Sequence, residues 1–185
     1  MSRESMEYDV VVVGGGPSGL AAAIKFKQLC IKNNKDFSIC VVEKGSQIGA
    51  HTLSGAVLET KALDELIPDW KLKDSPIKTK VSNEKFMYLS ETGAIKIPTI
   101  FLPKVMHNRN NYIISLGNLN IWLAKQAEEL GVEIYPGFAA SELIIDNNKL
   151  VGITTGDHGI LKNGEKGPNY QQGIDILSKY VHFAE

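Results

Sequence analysis

A glycine turn, Gly14-Gly15-Gly16-Pro17-Ser18-Gly19, stands between an apolar run and a stretch of helix formers, and it narrows the possible folds more than any other feature. Residues 8–13, Tyr-Asp-Val-Val-Val-Val, are too few for a globular helix and rich in β-branched side chains, so they read as a buried strand. Residues 20–29 are mostly good helix formers. A second β-branched run, 37–42, ends in the acid Glu43. Strand, glycine turn, helix, strand and carboxylate in that order predict a βαβ unit.

Each part has a physical task. Gly14 permits a tight turn off the strand, Gly16 lets the backbone approach a pyrophosphate, and Gly19 lets the helix lie close on the sheet. Gly15, Pro17 and Ser18 complete the turn; free N–H groups of the first helical turn, at the positive end of the helix dipole, would hold phosphates. Glu43 lies 24 positions after Gly19, near the spacing of about 20 expected for an acid bonding the ribose hydroxyls of an adenine nucleotide. An acid there disfavours a 2′-phosphate, and so NADP. A glycine triplet alone more often marks an ordinary loop; here every companion element is in place, and dinucleotide binding is the reading.

With 185 residues the chain can bury one domain, or one and part of another. Its net charge of −1 gives no overall positive field, which sets nucleic acid aside as a partner. Cys30 and Cys40 have apolar neighbours and read as buried thiols; two cysteines cannot supply the four thiolates of an ordinary iron–sulfur cluster, and no metal ligands are assigned. A short polar start and the absence of any apolar run near ~20 residues predict a cytoplasmic chain, soluble or peripheral.

Residues 44–58 are dense in glycine and hydroxyl side chains and read as a loop leaving the strand end where nucleotides bind. A short helix over 59–67 ends at Pro68, and the lysine-rich 71–80 reads as solvated connection. A hairpin is expected at 86–97, continuing into an apolar stretch to 106 whose two prolines exclude a central strand. That stretch is either a lid over the core or an exposed patch meeting a membrane surface or partner. Residues 112–114, a helix capped by Asn118 with Trp122 in the core, and residues 132–135 read as a second strand–helix–strand passage. Asp146-Asn147-Asn148 signals a hairpin, 155–172 is turn-rich, and 176–184 reads as a strand with nothing after it, as in a fragment of a longer protein.

The stretch 47–56, with Glu43-Lys44 before it and 111–117 and 131–140 after it, resembles the glutathione-reductase-like FAD domain. Within that group it is similar to the electron-transfer flavoprotein:ubiquinone oxidoreductase family. The resemblance implies an α/β fold: a Rossmann-like FAD-binding βαβ core with a parallel sheet, plus an antiparallel hairpin and meander insertion. It implies one FAD-binding domain over 1–185, apparently truncated, carrying an apolar insertion at 71–110 and a β-meander at 138–175. It adds Lys44, Gly49, His51, Thr52, Ser54, Gly55 and Ala139 to the cofactor contacts, and it names no catalytic side chain. The partners implied are reduced electron-transfer flavoprotein, ubiquinone and a membrane surface met through 86–106, on the inner face of a bacterial inner membrane or its mitochondrial counterpart. The family's [4Fe–4S] ligands have no counterpart here, and position 115 is Ser where some members have Arg. The isolated chain is accordingly expected to be inactive. The alternatives are another FAD-dependent oxidoreductase, of monooxygenase or prenyl reductase type, and a non-catalytic truncated nucleotide-binding module.

Overall fold

The computed structural model describes residues 3–53, 55–161 and 164–184. The first elements are β1 (Ser5–Val13), α1 (Pro17–Lys32), β2 (Ile39–Glu43), β3 (Ala56–Leu58), α2 (Lys61–Leu66) and β4 (Thr79–Lys80). Next come β5 (Phe86–Leu89), β6 (Ala94–Ile97), β7 (Tyr112–Ile114), α3 (Leu116–Glu129) and β8 (Glu133–Pro136). The chain closes with β9 (Ala140–Asp146), β10 (Lys149–Thr155), β11 (His158–Ile160), β12 (Lys166–Gln171) and β13 (Asp175–Phe183). Two compact units result, Met1–Leu53 with Gly117–Glu185, and Ser54–Leu116.

The first unit is built on a six-stranded sheet in the order β8-β2-β1-β13-β10-β9. β8, β2, β1 and β13 are parallel, with Val13 opposite both Val42 and Phe183 and Glu43 opposite Pro136. That register brings the carboxyl ends of four strands to one edge, where open α/β sheets bind their ligands. Val11, Val12, Val41 and Val42 are at most 2% exposed, which is why their run is unbroken: a central parallel strand is covered on both faces. α1 buries Gly19, Leu20, Ala23 and Ile24 along one helical stripe. The β9–β10 hairpin turns through Asn147 and Asn148, both at positive φ, as the Asp-Asn-Asn signal required.

Four expectations are corrected. Residues 112–114 do not lie beside 132–135; β7 pairs antiparallel with β3 and β4 in the second unit's own three-stranded sheet. Tyr112 and Ile114 are buried while Ile113 is half exposed, and such alternation suits a strand with one open face rather than a parallel one. Asn118 lies inside the first turn of α3, because the helix already starts at Leu116 behind Ser115. The turn-rich stretch 155–172 contains the hairpin of β11 and β12, and the 44–58 loop ends in β3.

The second unit closes around Trp70, whose indole N–H donates to Asp64 Oδ1 (2.7 Å) and whose ring meets Tyr112 edge-on. β5 and β6 form the expected hairpin. Its side chains, and those that follow, face outward: Leu89 and Ile95 are 68% exposed, Ile100 81% and Val105 91%. This segment fills no core.

On the same sheet, Tyr8 Oη donates to Glu133 Oε2 (2.7 Å) and sits 2.6 Å from Tyr135 Oη, which donates to the same carboxylate oxygen. The cluster ties edge strand β8 to β1 across β2. Hydrogen bonds from Tyr135 and Tyr8 hold the Glu133 carboxyl below its ordinary 4.5, while burial and the bond to Glu133 raise both phenols. A depressed carboxylate stabilises the fold above the unfolded value, and that contribution disappears as pH falls through the folded one. The melting temperature of the wild-type chain is therefore expected to drop as the pH falls below the ordinary 4.5 of a glutamate, and by less in Glu133→Gln, as followed by circular dichroism.

Candidate functional site

The glycine turn leaves β1 at the carboxyl edge of the sheet. Gly14 takes φ +110 and its N–H donates to the Val42 carbonyl (2.9 Å), so the turn is stitched to β2 as it begins. Gly19 lies so close to the strand that a methyl group on it would stand 2.0 Å from the Gly14 carbonyl oxygen, a backbone atom that cannot yield. Gly15 is also hemmed in, by Ile48 and Glu43. Gly16 is the opposite case: nothing lies within 4 Å of where its Cβ would be. It is the N-cap of α1 in extended conformation, with Pro17 next and no side-chain cap. The first-turn N–H groups of Ser18 and Gly19 thus receive no capping side chain from Gly16. Proline at N1 sacrifices no needed N–H. A helix N-terminus of this kind, with no side-chain cap, suits an anion.

Glu43 ends β2 half-buried beside the turn. Gly15 N–H donates to its Oε2 (2.8 Å) and Gly45 N–H to its Oε1 (2.7 Å). The two bonds fix the carboxylate at the turn and leave further lone pairs on each oxygen for hydroxyl donors. Gly45 in turn offers its carbonyl to Gly137 N–H (2.7 Å), which carries the loop over to the end of β8. A link of this kind has no sequence signature.

The loop after Glu43 is held from the side by α3. Gly49 takes φ +83, and a methyl group there would come within 2.9 Å of the Gly117 carbonyl. Three residues on, Thr52 Oγ1 accepts from Asn120 Nδ2 (3.0 Å). Lys44 and His51 are exposed on this loop, as is Gly55, at positive φ with open space around its α-carbon. Ser54 lies outside the described residues. Ala139 is half-buried just past β8, and its carbonyl accepts from Gly156 N–H (2.9 Å). Gly14–Gly19, Glu43, Lys44, Gly49, His51, Thr52 and Ala139 all belong to the first unit; Gly55 belongs to the second.

Asn120 escaped the sequence reading. It is fully buried, its Oδ1 without a partner. The available signal was its position: a carboxamide on the stripe shared with Ala124 and Ala127, Gln126 being the other carboxamide that the helix buries. Among the described residues no three metal-ligating side chains converge, and both cysteines are free and buried, with burial pushing the Cys40 thiol up to about 12.

Comparison with known proteins agrees with this geometry. Residues 12–68 match the family model of an NAD(P)-binding Rossmann-like domain. An electron transfer flavoprotein-ubiquinone oxidoreductase of Pseudomonas aeruginosa is 55% identical over 188 residues, covering 100% of this chain and 34% of the relative. The mitochondrial proteins of the same name from Dictyostelium discoideum and Homo sapiens are 52% and 47% identical, over 99% and 100% of this chain and 30% of each relative. The chain spans about a third of the length of the curated relatives it matches. Among solved structures, a geranylgeranyl bacteriochlorophyll reductase-like protein of Thermoplasma acidophilum superposes with TM-score 0.67 at 21% identity, covering 98% of this chain and 40% of that one. A myxobacterial FAD-dependent chondrochloren halogenase does so with TM-score 0.59 at 15% identity, covering 97% and 37%. Likeness at that identity establishes the fold.

The two ends of the glycine turn separate structure from binding. Gly19→Ala is expected to cost more than about 2 kcal/mol of stability, because a backbone clash has no relief. Gly16→Ala, at an ordinary φ with open space, is expected to stay within about 0.5 kcal/mol of wild type and still lose dinucleotide binding. Thermal melts beside nucleotide titrations of both variants check the contrast.

Proposed function

We propose, from the premise that this chain is homologous over its entire length to electron transfer flavoprotein-ubiquinone oxidoreductases, that it carries the FAD-binding portion of an enzyme passing electrons from reduced electron-transfer flavoprotein to ubiquinone. The observation that carries this reading is identity of 47–55% sustained over 99–100% of the chain. The cradle supports the same cofactor. Gly14, Gly15, Gly16, Pro17, Ser18 and Gly19 would hold the pyrophosphate, and Glu43 the adenosine ribose. Lys44, Gly49, His51, Thr52, Ser54, Gly55 and Ala139 would flank the rest. In this reading the chain forms the N-terminal part of an FAD domain, with 71–110 inserted in it and 138–175 as its meander.

Bound FAD supplies the redox chemistry. The protein's share is to fix the diphosphate on backbone N–H groups, to seat the ribose on a carboxylate already oriented by two glycine amides, and to set the loop beside the flavin. We assign no acid–base residue. The residues described here do not suit an iron–sulfur cluster: the two thiols are buried, and Cys40 resists ionisation. No step of this chain is routed through one.

Glu43→Ala removes an acceptor of two hydroxyl bonds. With charge-assisted bonds worth about 1.5–3 kcal/mol, FAD affinity is expected to fall about 10- to 100-fold; a flavin-fluorescence titration measures it. For the isolated chain we expect weak or substoichiometric flavin in the visible spectrum, and tight stoichiometric flavin would contradict that. A quinone-linked electron-transfer assay on the complete protein, set against an NAD(P)H-linked one, tests the activity. Quinone-independent turnover on NAD(P)H would overturn the reading in favour of another flavin oxidoreductase.

The same reading makes the exposed side chains of 86–106 a surface that rests on the lipid headgroup boundary, at the inner face of a bacterial membrane or its mitochondrial counterpart. No helix among the described residues is long and apolar enough to cross a bilayer. Ile100, Phe101 and Val105 are 78–91% exposed, so replacing all three with Asp is expected to leave stability nearly unchanged while abolishing co-sedimentation with lipid vesicles. Unaltered sedimentation would remove the membrane from the proposal.

A further inference from the structure

Asn120 carries a polar group where α3 buries its apolar stripe, and the group is only half satisfied. Its side chain is 0% exposed, its Nδ2 donates to Thr52 Oγ1 at 3.0 Å, and its Oδ1 accepts nothing. A buried carbonyl left without a donor is costly, and a leucine would cover the same stripe at no such cost. Residues that break a local rule of this kind mark positions kept for what they do.

The partner shows what is being done. Thr52 lies on the loop whose Gly49 backbone rests on Gly117 at the start of the same helix. By donating to the Thr52 oxygen, the Asn120 amide makes that hydroxyl an acceptor toward the helix and leaves its single proton to be given elsewhere. Thr52 is half-buried at a turn closed by its own N–H on the Gly49 carbonyl (3.1 Å), which fixes the backbone that carries the hydroxyl.

We infer that Asn120 is a positioning residue of the cofactor site: it aims the Thr52 hydroxyl proton at an acceptor on the flavin side of bound FAD and clamps the 47–52 loop on α3. This rests on the FAD reading above, and it concerns the part of the cofactor beyond the ADP moiety, which the glycine cradle and Glu43 would hold without it.

Calorimetric titrations with ADP and with FAD, together with apo-protein melts, test it on the whole 185-residue chain in wild type, Asn120→Leu, Thr52→Val and Thr52→Ser. ADP affinity is expected to be the same in all four. The preference for FAD over ADP should fall about fivefold or more in Asn120→Leu and Thr52→Val, the scale of one lost hydrogen bond, and be retained in Thr52→Ser. Asn120→Leu should melt no lower than wild type, because it removes an unsatisfied group; a merely structural asparagine would give a lower melt with an unchanged preference. An unchanged preference in Thr52→Val, or wild-type FAD binding no tighter than ADP, overturns the inference while leaving the cradle standing. Failure of the wild type to bind ADP would instead remove the dinucleotide reading itself, and this inference with it.

Discussion

The rest of the molecule is arranged around one backbone approach, the α-carbon of Gly19 lying under the carbonyl of Gly14. It sets how closely α1 can lie on β1, and therefore where the first helical turn points. Because Gly14 is pinned to Val42 by a hydrogen bond, the same approach fixes the turn relative to the end of β2, where Glu43 emerges. Helix, turn and acid are thus placed by sterics and one backbone bond before any side chain chooses a rotamer. Anion recognition built from backbone N–H groups needs that order of events, since the donors carry no torsions that could adjust afterwards.

Glu43 then acts on the protein as well as on any ligand. Its two oxygens accept from Gly15 and Gly45, one on each side of the strand end, so that turn and following loop are joined through a carboxylate. Negative charge near the amino end of α1 is favourable in itself. A carboxylate already held by two amides would lose little further freedom on receiving the ribose hydroxyls of the proposed cofactor, which is the meaning of a preorganised site.

Much of this was legible in the chain. The strand from Tyr8, the glycine turn, α1 and Glu43 follow from β-branching, glycine spacing and helix propensity, all of them local signals. The Asn147–Asn148 turn was legible for the same reason, because only a few residues tolerate positive φ at successive positions. What failed was partnership. Tyr112-Ile113-Ile114 reads as a strand anywhere, yet whether it joins Val132–Tyr135's sheet or Ala56–Leu58 depends on pairing across more than fifty residues, about which local propensity is silent. Likewise Asn120 and Thr52, 68 residues apart, give no sign in sequence that they meet.

Distance along the chain also decides what the cradle requires. β1 has two parallel neighbours: β2, which follows after one helix, and β13, whose Tyr180 stands opposite Val10 at the far end of the sequence. The last described residue takes part directly: Ala184 N–H donates to the Val13 carbonyl (2.9 Å), and its methyl group stands 3.2 Å from where a Cβ on Gly19 would be. The wall behind the glycine turn is therefore made from both ends of the chain. A βαβ unit of residues 1–43 would hold the motif but leave β1 exposed along one edge. The local motif states what kind of ligand the turn would suit; the long-range pairing of β1 with β13 is what braces that backbone.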